Sequence, residues 1–136
     1  MTKYEKAFMQ MAHVFAQTSC AKRLKVGALF VKDGNILALG CNGTIPGWHT
    51  NACEDENGCT TNAVIHAERN GILKAAKAGI SLKGSTLYVT HSPCVMCSGM
   101  LYSVGVERVV YSEVYRDTAG IEWLKERGVI VEQTHI

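Results

Sequence analysis

Proline is nearly absent from this chain, at Pro46 and Pro93 only among 136 residues, and aromatic side chains make up 7%. Collagen-like and proline-rich architectures are therefore excluded. With 47% hydrophobic and 19% charged residues, the composition is not that of a disordered or coiled-coil chain. No apolar run approaches the roughly 18 residues of a membrane span, and Met1-Thr2-Lys3-Tyr4-Glu5-Lys6 lacks the form of a secretory signal. The chain is expected to be soluble and cytoplasmic, in the host cytoplasm if its source is viral. Neither sign of charge dominates: 14 Lys+Arg against 12 Asp+Glu give +2. A polynucleotide binder carries a denser basic footprint, so a small molecule is the better expectation and nucleic acid is disfavoured. The length suits one domain, residues 1–136, with room for a core.

What is present divides into periodic segments and one long interruption. Tyr4, Ala7, Phe8, Met11, Val14 and Phe15 recur at helical spacing and predict an amphipathic helix over residues 3–17 with one buried stripe. Residues 26–31 and 36–40 flank Asp33-Gly34, which predicts a β-hairpin. From Gly43 to Ile65 no periodicity survives, and a loop of that length usually has a function. A helix is expected from about His66, closed by Lys77-Ala78-Gly79. Next come a strand at 86–90, a helix at 93–104 with Pro93 in its first turn, a strand at 108–111, a helix at 121–127 and a strand at 129–131. This order predicts an α/β fold, a sheet with helices on both faces.

Six cysteines with no sign of export shift the reading from disulfides toward metal ligands or catalytic thiols. Cys94 and Cys97, three apart at a predicted helix start, project from one face where the helix dipole favours thiolates. A bare C-x-x-C is also a redox motif. The preceding proline, the lack of a thioredoxin-like context and His66-Ala67-Glu68 one strand upstream favour zinc. One imidazole and two thiolates leave the fourth tetrahedral position open, the arrangement of a catalytic zinc. Glu68, two residues beyond His66, is placed to move a proton without ligating the ion. In the long loop, His49, Cys53 and Cys59, with Cys20 before the first strand, form a candidate second, structural zinc set, against the alternative of free packed thiols. Cys41 and Tyr111 are expected in the core. His91, His13, His135 and Trp48 read as packing or surface residues.

The pairing of His66-Ala67-Glu68 with Pro93-Cys94-Val95-Met96-Cys97 resembles the signature of the zinc-dependent nucleobase deaminases. Within them, Val26-Gly27-Ala28, Gly40-Cys41-Asn42-Gly43, His66 to Gly71 and Thr90 to Cys97 resemble the deoxycytidylate (dCMP) deaminases, with Cys41 standing where that family has tyrosine. The resemblance implies a three-layer α/β/α cytidine deaminase-like fold with a central mixed five-stranded sheet. It implies hydrolytic deamination of dCMP to dUMP, supplying thymidylate synthesis, with His66, Cys94 and Cys97 as zinc ligands and Glu68 as proton shuttle. The Ala67 N–H would hold the base carbonyl, Asn42 the sugar or base, and Tyr115 would close over the nucleotide. Arg23, Lys25 and Arg116 are candidates for the phosphate. It also implies a homo-oligomer, commonly a hexamer, activation by dCTP with Mg²⁺ and inhibition by dTTP. Two alternatives stay open: a deaminase of another cytosine nucleoside, nucleotide or small amino-heterocycle, and a non-catalytic, zinc-stabilised nucleotide-binding protein.

Overall fold

A computed structural model describes all 136 residues. Thr2 and Glu5 open the first helix, α1 (Lys3–Ala16), with a reciprocal capping box: each side chain accepts the other's backbone N–H. The buried face of α1 only partly overlaps the predicted stripe, of which Ala7, Phe8 and Phe15 are half-buried and Phe8 packs on Tyr88. Met9, Ala12 and Ala16 face inward, whereas Tyr4, Met11 and Val14 are exposed. The reason is a close approach. A Cβ on Gly27 would lie 2.0 Å from the Ala12 carbonyl oxygen, so Ala12 and Ala16 press on the sheet where Gly27 passes, with Met9 filling the core beside them.

The hairpin forms as expected, from β1 (Gly27–Lys32) and β2 (Asn35–Cys41), antiparallel around Asp33 and Gly34, both at positive φ. The long interruption is not wholly irregular. Gly43–Thr44 (β3) pairs antiparallel with Val64–Ile65 (β4), closing the loop at its base. Then follow α2 (Ala67–Ala78), β5 (Thr86–His91), α3 (Val95–Ser103), β6 (Arg108–Glu113), α4 (Ala119–Glu126) and β7 (Ile130–Gln133).

The main sheet has the order β2-β1-β5-β6-β7, antiparallel on the hairpin side and parallel from β5 onward. It is the expected mixed five-stranded sheet. Strand β1 is buried on both sides: Ala28 and Phe30 enter a core shared with α2, α3 and α4, while Leu29 and Val31 enter a second core beneath α1. The helices thus divide one against three across the sheet. No helix is long and apolar enough to cross a membrane.

Arg108 of β6 ties the layers together, pairing with Glu5 of α1 and with Glu132 of β7. The Glu5 carboxyl is held below its ordinary range by the Thr2 backbone N–H and then by Arg108. Its stabilising effect is complete above the unfolded glutamate pKa of about 4.3, and it is lost as pH falls through the lower folded value. Glu5→Gln should therefore cost about 1 kcal/mol at pH 7, screening included, and clearly less near pH 3. Urea denaturation at the two pH values checks this; an equal cost at both would remove the charge from the explanation.

Candidate active site: two helix starts and a buried carboxyl

Two helix starts meet at one point, and the residue at each N-cap is a candidate ligand. His66 caps α2 in an extended conformation and makes no side-chain cap hydrogen bond, so its ring is free for other work. Cys94 caps α3, its sulfur accepting the Cys97 N–H at 3.4 Å. Pro93 therefore precedes the cap rather than entering the first turn, because Cys94 takes the extended N-cap conformation itself.

His66 Nδ1 lies 3.6 Å from Cys94 Sγ and 3.4 Å from Cys97 Sγ. Zn–S bonds of about 2.3 Å and Zn–N bonds of about 2.0–2.1 Å at a tetrahedral angle require N···S separations of about 3.6 Å. The donor set fits zinc in kind and in spacing. It is the one group of three or more His, Cys, Asp or Glu side chains whose ligand atoms fall within 4.8 Å of one another.

The electrostatics agree with that use. Hydrogen bonding from Cys97, and then from His66, holds the Cys94 thiol down to about 4. Cys97 is pushed upward, first by Cys94 and then by burial. The pair thus shares a single negative charge at the dipole-favoured end of α3, and a divalent cation would displace the remaining proton. His66 is raised, chiefly by Cys94. Glu68, in the first turn of α2, is 4% exposed, and burial pushes its carboxyl up to about 7 against its own backbone N–H. A carboxyl near 7 can both take and give a proton at neutral pH.

His66, Glu68 and Cys94 line a cavity of about 560 Å³, in the range of small-molecule sites. Ala67, Asn42, Tyr115, Arg23 and Arg116 line it with them; Lys25 is exposed and does not. Asn42 already works for the fold: its Oδ1 accepts the Val26 N–H at 2.8 Å and its Nδ2 donates to the Leu24 carbonyl at 2.7 Å. One N–H and one lone pair remain free. The lining also includes Ser92 and Glu54, which the sequence did not single out for it, and His91, read from the sequence as a surface residue. Ser92 Oγ accepts the Tyr115 N–H at 2.6 Å, and His91 lines the wall with its pKa lowered by burial. Glu54 is there too, its carboxylate accepting the N–H groups of Lys22 and Arg23. Ser92 and His91 flank the Pro-Cys motif and were findable from it; Glu54, in a polar loop, gave no signal.

The structure does not gather Cys20, His49, Cys53 and Cys59: no three of them come within ligating reach of one another. Carboxylates order the loop instead. Glu54 fastens it to residues 22 and 23, and Asp55 Oδ1 accepts the N–H groups of Asn57 and Cys59. Cys41 is half-buried and within 3.5 Å of Thr18 Oγ1, Tyr111 is buried in the core, and Trp48 stays exposed beside His49.

An open His-Cys-Cys metal centre at paired helix starts, with a buried glutamate beside it and an α/β/α scaffold behind it, defines a zinc-dependent deaminase. Residues 2–113 match the cytidine and deoxycytidylate deaminase zinc-binding region, and the chain belongs to that family. A crystal structure of dCMP deaminase from the cyanophage S-TIM5, in complex with dCMP and dUMP, superposes with a TM-score of 0.95 at 49% identity, covering 98% of this chain and 99% of that one. The ComE operon protein 2 of Bacillus subtilis is 38% identical over 135 residues, spanning 95% of this chain and 70% of its own length. Deoxycytidylate deaminase of Mycobacterium phage D29 is 34% identical over 121 residues, 79% of this chain and 93% of that protein.

Proposed function

We propose that the protein hydrolyses dCMP to dUMP and ammonia. The observation that carries this reading is the Glu68 carboxyl, buried beside the His66, Cys94 and Cys97 donors and lining a cavity whose wall includes Arg23 and Arg116. The cyanophage relative crystallised with dCMP and dUMP supports the monophosphate. A zinc ion held by the three donors supplies, when bound, the Lewis acidity that brings a water's pKa toward neutrality. Glu68 takes the proton from the attacking water and delivers it to N3 of the cytosine ring. A C4–O bond forms, the C4–N4 bond breaks, and N4 leaves as ammonia, the second proton of the water passing with it. The Ala67 N–H, at a helix position with no carbonyl partner in its own helix, donates to the base carbonyl. Asn42 meets the sugar through its free N–H, Arg23 and Arg116 meet the phosphate, and Tyr115 closes the wall.

Ammonia release measured side by side on dCMP, CMP, deoxycytidine, dCTP and cytosine tests the substrate. Preference for dCMP of at least about tenfold in kcat/KM, a differential of about 1.4 kcal/mol, is expected; equal rates on deoxycytidine would reject the phosphate contacts. The same assay with added dCTP and Mg²⁺, or with dTTP, reads the effector response. Assembly as a homo-oligomer belongs to this reading, supported by the exposed apolar residues Leu73, Val95, Met96 and Tyr102 on α2 and α3. The dUMP formed is what a thymidylate-forming methylation consumes.

A further inference from the structure

The start of α4 comes so close to the Pro93–Cys94 peptide that no side chain fits between them. A Cβ on Gly120 would stand 2.3 Å from the Pro93 carbonyl oxygen, 2.7 Å from the Cys94 carbonyl carbon and 2.8 Å from the Cys94 oxygen. All three atoms are backbone, so no flexible side chain can swing aside. Either α4 or the peptide must move.

Both sides are held: Pro93 is fully buried and the Cys94 carbonyl accepts the Ser98 N–H at 2.9 Å, so an added methyl strains the peptide as well as the helix. Ile121 and Leu124 are buried in the larger core with Leu101 of α3, and the Ala119 N–H is held by the Asp117 carboxylate at 2.9 Å. The peptide on the other side carries Cys94, whose sulfur is at once a candidate metal ligand and the acceptor for the Cys97 N–H. Displacement there would move one donor relative to the other two, in a set whose spacing matches a tetrahedral ion. Gly99 shows that not every glycine near the centre is so confined. It lies within α3 itself, yet a Cβ added to it meets nothing within 4 Å.

We infer that Gly120 is a positioning residue for the metal centre: its missing side chain lets α4 back the Pro93–Cys94 peptide and so fixes where Cys94 presents its sulfur. The inference rests on the reading that His66, Cys94 and Cys97 hold a metal ion. It does not depend on which nucleotide is the substrate.

The test is cobalt substitution, because thiolate-to-cobalt charge-transfer and ligand-field bands report the geometry of the donors without any turnover. Gly120→Ala should fold, by circular dichroism, yet bind Co²⁺ at least about tenfold more weakly in chelator competition and with shifted ligand-field bands, as outer-shell changes at metal sites do. Gly99→Ala, in the ligand-bearing helix, should match the unmodified protein in both. A Gly120→Ala protein with unaltered cobalt bands and affinity would overturn the proposal. Absence of thiolate–cobalt absorption in the unmodified protein would instead overturn the metal-centre reading beneath it. Should Gly120→Ala not fold, it is combined with Gly99→Ala, which offsets part of the loss through helix propensity, and read in the same way. Failure of both to fold in excess zinc would make the contact general packing and reject the positioning role.

Discussion

Glu68→Gln is expected to lower kcat on dCMP at least about 1000-fold while zinc stays bound at the stoichiometry of the unmodified protein. Proton transfer by a placed side chain contributes about 10²–10⁴ in rate, and Glu68 is assigned two transfers, from the water and to N3. Glutamine keeps the shape and fills the same buried space, so the cavity and the donor set should persist. Only the exchangeable proton is lost. Steady-state kinetics together with metal analysis distinguish this from a folding defect. A glutamine variant that retains more than about a tenth of kcat would end the role of Glu68 as shuttle, since even the smallest usual contribution of such a group exceeds that.

Cys97→Ala should remove the metal and with it both activity and the metal's share of stability. Cys97 is 2% exposed and serves with Cys94 and His66, so two donors cannot replace three. A ligand present at 1,000 times its Kd stabilises the folded chain by about 4 kcal/mol. For a chain of this size that amount corresponds to a fall of more than about 10 °C in Tm when the unmodified protein is stripped with a chelator. The alanine variant should melt at the same temperature with and without chelator, close to the stripped protein. A chelator-sensitive Tm in Cys97→Ala would place the stabilising ion elsewhere and revive the cysteines of the long loop as its ligands.

The donors were legible in the sequence because their chemistry and their local structure coincide. His66 stands where a run of helix-favouring residues begins and the Cys94–Cys97 pair follows the proline that marks the next helix, and a helix start is where an extended N-cap residue and free N–H groups occur together. Several other features were not legible, for physical reasons. The β3–β4 pairing joins two-residue segments twenty residues apart, too short for any period to register. The face of α1 was read only in part because helical spacing alone did not register that Gly27 would draw Ala12 and Ala16 against the sheet. Lys25 lies in a stretch without regular structure, so its nearness to Arg23 in sequence said nothing about sharing a wall. The Gly120 contact depends on a neighbour that the sequence places 26 residues away, and Ala119-Gly120 alone reads only as a weak helix start.

The placement of Gly120 has a consequence for how the centre matures as the chain folds. His66, Cys94 and Cys97 lie within one 32-residue stretch that precedes α4 in the chain. The backing of Cys94 depends on α4, which follows all three donors in sequence. The three donors can thus meet before the wall that aims them is in place, and high-affinity capture of the ion must wait for α4 to dock.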